Sequence, residues 1–278
     1  MIDFKQSMKL TARRILGCVC LFPLLISNQP AAANPGLTYG KNTVMFPEAT
    51  STVPVADDRV AALWSVANED ERPRRDCTAT HLHDQWWMTA RHCIPDQDSR
   101  MRVLQNRTHD VAGVEAVYTK SSEYDFVLLK VSDGIIAEDF TLADEPPAQG
   151  DYLNVVGYGG EHDYPSLAEV RIEQLLDQTK VHGGIARDVL ESRSAGASRT
   201  CGGDSGAAVF RGDKLFAIHT AGTVNPSCRD GEDSRLIHTS LHPHVDWITQ
   251  TTEAHAESTE TERSLGQDSI AAFIEQQQ

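Results

Sequence analysis

The chain has 278 residues, a formal net charge of −15 at pH 7 and six cysteines. This length fits one large domain or two small ones. The excess of acidic residues argues against nucleic acids and anionic membranes as partners, because phosphate groups attract clusters of lysine and arginine.

The first 33 residues have the pattern of a secretory signal. Basic residues precede an apolar segment at 15–26, and the alanines at 31–33 offer small side chains at a cleavage site. A membrane anchor is the alternative, but an apolar segment of about a dozen residues is too short to cross a bilayer, which needs roughly 20. We therefore expect an exported protein, extracellular or periplasmic, without stable membrane association.

Residues 34–52 are rich in Pro, Gly, Ala and Thr and predict a pro-segment or an extended N-terminal arm. From residue 53 onward, short segments of strand composition alternate with turn-forming residues, which favours an all-β sandwich or barrel pair over alternating strands and helices. Leu241, Val245 and Ile248 have helical spacing and predict a short helix. Residues 252–278 are polar and are expected to form a mobile tail. The predicted strands are 60–66, 86–90, 111–118, 126–131, 152–158, 168–175, 207–210, 215–220 and 236–239.

Two segments carry the residue types needed for acyl transfer. Ser205 lies in the sequence Cys-Gly-Gly-Asp-Ser-Gly at 201–206, and His92 lies in Thr-Ala-Arg-His-Cys at 89–93. A serine hydroxyl is a weak nucleophile at neutral pH and needs a base beside it. Glycines let the main chain turn sharply and aim amide N–H groups at one point, as a developing oxyanion requires.

These segments resemble the chymotrypsin/trypsin family of serine proteases. Asp125, at the head of the apolar segment 126–131, completes the family's chain order of His, Asp and Ser. The resemblance covers 53–251 and implies two packed six-stranded antiparallel β-barrels with a short C-terminal helix. It implies His92 as general base, Asp125 as its orienting partner and Ser205 as nucleophile, with the amides of Gly203 and Ser205 facing the oxyanion. The implied substrates are proteins or peptides, the expected state is a monomer, and no cofactor or metal is expected.

Four cysteines remain once the leader is removed. The resemblance implies the disulfides Cys77–Cys93 and Cys201–Cys228, and disulfides agree with export. Zinc is the alternative for four cysteines, but their separations lack the close Cys-x-x-Cys spacing of structural zinc sites.

The specificity pocket departs from that of trypsin-like members. Arg199 occupies the position where those enzymes place an aspartate, and a cation there would favour a substrate carboxylate. Thr200 and His219 resemble the threonine and histidine with which bacterial glutamyl endopeptidases hold a substrate Glu, and Arg235 is a second cationic candidate on the opposite wall. We expect cleavage after Glu or Asp. The alternative is an outward-turned Arg199 and a pocket for small or apolar residues.

Two further residues are interpreted through the resemblance. Asp204 matches the family's aspartate that pairs with a newly released N-terminal ammonium, which implies a zymogen with a new N-terminus at Val44 or Val53. Thr220 occupies the position of the serine that hydrogen-bonds the catalytic aspartate, and it is also expected among the substrate-binding residues. A protease fold retained as a catalytically silent binding module is the second functional class.

Overall fold

The computed structural model describes residues 53–66, 73–95, 101–160, 163–181, 184–195, 200–222 and 235–254. The predicted leader, the N-terminal arm, Arg199, Cys228 and the chain beyond residue 254 lie outside the described residues. The strands formed by the described residues are β1 (Val53–Pro54), β2 (Val60–Val66), β3 (Arg74–His83), β4 (Trp86–Thr89), β5 (Met101–Gln105), β6 (Val111–Tyr118), β7 (Val127–Val131), β8 (Thr141–Leu142), β9 (Tyr152–Gly157), β10 (Ser166–Val181), β11 (Gly184–Ser194), β12 (Ala208–Arg211), β13 (Lys214–Gly222) and β14 (Arg235–Ser240).

These strands form two closed antiparallel barrels of six strands each. The first barrel follows the order β2-β3-β4-β7-β6-β5. The second follows β9-β10-β11-β14-β13-β12 and closes through the pairing of β12 with β9. Strand β1 adds to β10, and β8 pairs in parallel with β13. The predicted pair of six-stranded barrels is confirmed.

All nine predicted strands are present, although β10 begins two residues earlier and runs six residues further than expected. Five strands formed by the described residues were not predicted: the longer β3, β5 and β11 and the two-residue β1 and β8. The predicted helix is α1, at 245–254, and it follows a 3₁₀ turn at His242–His244. Thr252 on this helix is buried, and the helix continues to residue 254, three residues beyond the expected domain boundary at 251. None of the helices formed by the described residues has the length and hydropathy needed to cross a membrane.

Strand β4 shows how one apolar segment serves two cores. Successive side chains of a strand point to opposite faces. Trp87 packs inside the first barrel with Leu63, Leu104 and Leu129. Trp86 and Met88 point the other way, into a core shared with residues of the second barrel and of α1. Both faces of β4 are therefore buried, which explains its unbroken apolar sequence and fixes its C-terminal end at the junction of the barrels.

Candidate active site

His92 lies in a 3₁₀ turn, Arg91–Cys93, that directly follows β4. Cys93 is disulfide-bonded to Cys77 of β3, with Cα atoms 6.2 Å apart, as the resemblance implied. The bridge fixes the turn to the neighbouring strand and occupies both sulfur atoms, so they are not free to act as metal ligands beside His92. About half of the His92 side chain is exposed (49 %), which leaves the ring accessible from the cleft.

Asp125 is brought to His92 by the pairing of β4 with β7. Thr89 lies opposite Val127, so the residues after β4 meet those before β7. Oδ2 of Asp125 lies 2.8 Å from Nδ1 of His92, and Oδ1 lies 3.1 Å from it. Oδ1 also accepts the main-chain N–H of His92 at 2.9 Å. The carboxylate therefore fixes both the turn and the orientation of the imidazole.

Ser205 lies in the turn between β11 and β12, and that turn packs directly on the first barrel. The carbonyl of Ser205 accepts the N–H of Thr78 at 2.8 Å, and the sulfur of Cys93 lies 3.8 Å from the same oxygen. The next residue, Gly206, has φ +88° and leaves no room for a side chain, because a Cβ there would lie 2.1 Å from the carbonyl oxygen of Thr78. These contacts place Ser205, which precedes β12 of the second barrel, beside the 3₁₀ turn that carries His92.

The Ser205 hydroxyl is oriented toward the second barrel, where Oγ donates to the carbonyl of Thr220 at 3.4 Å. Among the described residues, no hydrogen bond joins Ser205 to Nε2 of His92, the ring nitrogen that Asp125 leaves unused. Rotation about one side-chain bond changes the direction of Oγ. A looser arrangement of nucleophile and base is common in ligand-free sites.

The main-chain amides around Ser205 divide into two groups. Those of Asp204, Gly206 and Ala207 donate to carbonyl oxygens of the protein. Within the described part of the chain, those of Gly203 and Ser205 donate to no protein acceptor. These are the two amides that the family resemblance implied would face an oxyanion.

Asp204 lies behind this turn and is 3 % exposed. Its Oδ1 accepts the N–H of Gly159 at 2.7 Å, and its Oδ2 accepts the N–H of Cys201 at 2.7 Å. Burial raises the pKa of Asp204 to about 6, although these two amides and the charge of Arg75 favour the ionised form.

His219 is buried in the second barrel and is linked to two further polar side chains. Its Nδ1 lies 3.1 Å from Nδ1 of His238, and Nε2 of His238 lies 2.7 Å from Oγ of Ser192. Burial, with a smaller contribution from the nearby His92 and against the opposing effect of Asp125, lowers the pKa of His219 to about 3. The pKa of His238 is also lowered well below its ordinary value, first by burial and then by His219. Both imidazoles are therefore neutral near pH 7.

Thr220 and Arg235, two of the expected pocket residues, both have side-chain partners within the protein. The Thr220 hydroxyl pairs with the hydroxyl of Thr239 at 2.9 Å rather than with Asp125. Arg235 forms an ion pair with Glu191 at 2.5 Å and donates to Thr179, so its guanidinium is engaged by the protein instead of being available to substrate. A β-bulge in β13 between His219 and Ala221 re-aims the Thr220 side chain.

The remaining pocket residues are partly described. Thr200 is half-buried at the start of the nucleophile turn. Arg199 lies outside the described residues. Cys201 is disulfide-bonded, but its predicted partner Cys228 also lies outside them, so this pairing stays a prediction.

The family model described as Trypsin matches residues 56–248, which is most of the chain. The chain belongs to the trypsin family. It is accordingly a serine endopeptidase, and the two-barrel fold and the Cys77–Cys93 disulfide are those of a trypsin-like hydrolase.

Individual family members are distant in sequence. The chain is 25% identical over 211 residues to the alpha-fibrinogenase albofibrase of Trimeresurus albolabris, an alignment that covers 66% of this chain and 80% of that protein. It is 23% identical over 169 residues to trypsin 5G1 of Aedes aegypti, covering 51% of this chain and 64% of that protein. The solved structure of neuropsin, a serine protease expressed in the limbic system of mouse brain, has a TM-score of 0.53 and 20% identity, and the alignment covers 74% of this chain and 96% of that one.

Sequence reasoning missed several residues that support the site. Thr78 donates its hydroxyl to the carbonyl of Gly203 at 2.9 Å and accepts the N–H of Tyr158 at 2.8 Å. Thr80 donates to the carbonyl of Gly206 at 2.9 Å. Nothing local marks these threonines, because their acceptors are about 125 residues away along the chain. Their nearness to Cys77 is the one signal that could have pointed to them.

Proposed function

We propose that the protein is a secreted serine endopeptidase that works through a His92–Asp125–Ser205 triad. The observation that carries this proposal is the double contact of the Asp125 carboxylate with Nδ1 and the main-chain N–H of His92. That contact orients the imidazole and leaves Nε2 as the nitrogen available to a nucleophile. The unused amides of Gly203 and Ser205 add a donor pair beside the hydroxyl.

In the proposed reaction, the Ser205 hydroxyl turns from the Thr220 carbonyl to His92. Nε2 takes the hydroxyl proton as Oγ attacks the substrate carbonyl carbon, and the amides of Gly203 and Ser205 bind the resulting oxyanion. The imidazolium, stabilised by Asp125, gives the proton to the leaving amine as the peptide bond breaks. Water then hydrolyses the acyl-Ser205 ester by the same steps.

A fluorophosphonate label and a casein-digestion assay test this proposal together. Wild-type protein should bind the label covalently and digest casein, and Ser205→Ala should lose both properties. Ser122→Ala is the matched control, because it makes the same change at an exposed serine. A folded wild-type protein that neither reacts nor cleaves would favour the silent binding module.

We further infer cleavage after Glu or Asp, on the basis of His219. A neutral histidine can donate one hydrogen bond to a carboxylate without itself being charged. The Ser192 hydroxyl can donate to Nε2 of His238, and Nδ1 of His238 can then donate to Nδ1 of His219. In that arrangement the single N–H proton of neutral His219 lies on Nε2. Among the described residues Nε2 of His219 has no hydrogen-bond partner, and in this proposal it donates to the substrate carboxylate. Thr200 and Arg199 would complete the pocket.

Peptide-library profiling at the residue preceding the cut tests this specificity. We expect Glu to be preferred over the isosteric Gln, and His219→Ala to lose Glu cleavage more than cleavage after other residues. A preference for Lys or Arg overturns the proposal, and a preference for small or apolar residues favours the alternative pocket.

Export and activation are proposed with the function. A leader ending at residue 33 predicts a mature chain outside the cytoplasm that acts as a monomer. An N-terminal ammonium released at Val44 or Val53 would add a cation near the buried Asp204. N-terminal sequencing of the active enzyme tests this, since full activity after leader removal alone contradicts a zymogen.

A further inference from the structure

The peptide group between Gly202 and Gly203 is oriented by a hydrogen bond to its carbonyl oxygen. The carbonyl of Gly202 accepts the main-chain N–H of Gly160 at 2.9 Å. In a trans peptide the carbonyl and the following N–H point in opposite directions. Holding the Gly202 carbonyl therefore sets the direction of the Gly203 N–H, one of the two amides in the proposed oxyanion site. The Gly203 carbonyl is held in turn by the Thr78 hydroxyl.

Gly160 is itself anchored by a side chain of the first barrel. The guanidinium of Arg75, on β3, donates from Nη2 to the carbonyl of Gly160. The Arg75 side chain is 13 % exposed, and its Nη1 lies 3.8 Å from the exposed Asp163. Arg75 thus connects the first barrel to the segment after β9, and through Gly160 to the Gly202 carbonyl.

The same guanidinium contributes charge to the buried Asp204. Both oxygens of this carboxylate accept main-chain amides, from Gly159 and Cys201, but burial still disfavours the ionised form. Arg75 is a cation that favours ionised Asp204. The carboxylate sits against Gly159, where a Cβ would lie 2.2 Å from Oδ2, so the close packing requires glycine. Asp204 directly precedes Ser205 and joins Gly159 to the nucleophile turn.

We propose that Arg75 is a positioning residue for the oxyanion site. Its guanidinium fixes the Gly160 carbonyl, Gly160 fixes the Gly202 carbonyl, and the Gly203 N–H is thereby aimed into the cleft. This inference rests on the proposed serine-protease mechanism and adds a residue to it. Loss of one oxyanion donor costs about 10²- to 10³-fold in kcat. In Arg75→Met the Gly203 N–H is still present but is less firmly oriented. We therefore expect a smaller loss, about 10- to 100-fold in kcat.

The test compares Arg75→Met with Arg74→Met. Arg74 is the preceding residue, 73% exposed and paired with Asp76 at 3.2 Å, so its substitution removes the same charge from the same strand. We expect Arg75→Met to lower kcat for a peptide substrate and the second-order rate of fluorophosphonate labelling in parallel, with KM changed less than threefold. Arg74→Met should match wild type in all three values. The thermal unfolding midpoint of each variant is measured as well. If Arg75 had a purely structural role, Arg75→Met would lower this midpoint without selectively lowering kcat relative to KM.

Conservative variants keep the inference testable if Arg75→Met does not fold. Arg75→Lys retains a cation and a donor, whereas Arg75→Gln retains a donor alone, so kcat should rank wild type above Lys and Lys above Gln. Equal kcat values in folded Arg75 variants and Arg74→Met would overturn the inference while leaving the serine-protease mechanism intact. A folded wild-type protein without labelling or cleavage would overturn both.

Discussion

Nδ1 of His219 lies 3.1 Å from Nδ1 of His238, so one of these two facing nitrogens carries a proton and the other does not. The two residues lie opposite each other in the pairing of β13 with β14. Because both imidazoles are buried and neutral near pH 7, the proton on one ring decides which tautomer the other adopts. Ser192, which contacts His238 from the other side, is thereby linked to the tautomer of His219 and through it to the proposed specificity pocket.

Removal of the Ser192 hydroxyl should weaken discrimination between Glu and Gln. Ser192→Ala leaves His238 without its partner, so the tautomer with a proton on Nε2 of His219 is no longer favoured. We expect the Glu/Gln ratio of kcat/KM to fall about 5-fold, the equivalent of one neutral hydrogen bond of ~1 kcal/mol. Ser194→Ala on the same strand is the control, because the Ser194 hydroxyl has no hydrogen-bond partner among the described residues. Equal ratios in the two variants contradict the prediction.

The buried histidines predict a loss of stability in mild acid. The pKa of His219 is lowered to about 3, that of His244 to about 4 by burial and Lys120, and that of His238 is also lowered. Below pH 6.5 the unfolded chain therefore binds protons that the native protein does not, and stability falls with pH. Asp204, with its pKa raised to about 6, acts oppositely as the native carboxyl takes up a proton. With one proton worth about 1.4 kcal/mol per pH unit, the net slope should approach about 3 kcal/mol per unit below pH 6.

Urea unfolding between pH 7.5 and pH 4.5 measures this slope. His244→Gln keeps a hydrogen-bonding side chain but cannot titrate, so it should reduce the slope by about one proton's worth, ~1.4 kcal/mol per pH unit. An unchanged slope in this variant would show that His244 is protonated in the native state.

Asp125→Asn should leave the fold intact and remove most of the activity. An amide at this position can hold the wrong tautomer of His92, and the expected loss in kcat is about 10⁴-fold, as in the family template. Circular dichroism should match wild type. Asp133→Asn serves as the control, because Asp133 bonds Gln85 and makes no contact with His92. A loss smaller than 10-fold for Asp125→Asn would assign the orienting role to another group.

Gly206→Ala should destabilise the protein and abolish labelling of Ser205. The substituted Cβ would meet the Thr78 carbonyl at 2.1 Å and the Thr89 hydroxyl at 2.3 Å, at a backbone φ of +88°. We expect a loss of about 3 kcal/mol or more in unfolding free energy. Gly212→Ala provides the comparison, since Gly212 has φ +65° but no atom within 4 Å of the added Cβ. Its cost should be limited to backbone strain of about 1 kcal/mol. Equal losses of unfolding free energy in the two variants would mean that Gly206 is required by its backbone angle and not by its close contact with Thr78 and Thr89.

Strand β3 has a physical reason for escaping prediction from the sequence. Strand β3 carries Thr78, Thr80 and His81, which are polar yet buried. Their hydrogen bonds go to distant parts of the chain, so the segment lacks the apolar pattern expected of a core strand. By contrast, the apolar sequences of β4 and β7 were recognisable because both of their faces are buried in packed cores.

The amino-acid sequence by itself determined the all-β class and the segments around His92, Asp125 and Ser205, because strand patterns, the glycine turn and the cysteine beside His92 are local features. The pair of barrels followed from the family resemblance that these segments carry. The partners of Thr220, Arg235, His219 and Arg75 were decided by the tertiary structure alone. They depend on strand register, on the bulge in β13 and on contacts between the barrels. Such contacts can join residues that are 125 or more positions apart, and a change of one residue in register turns a side chain to the opposite face of its sheet.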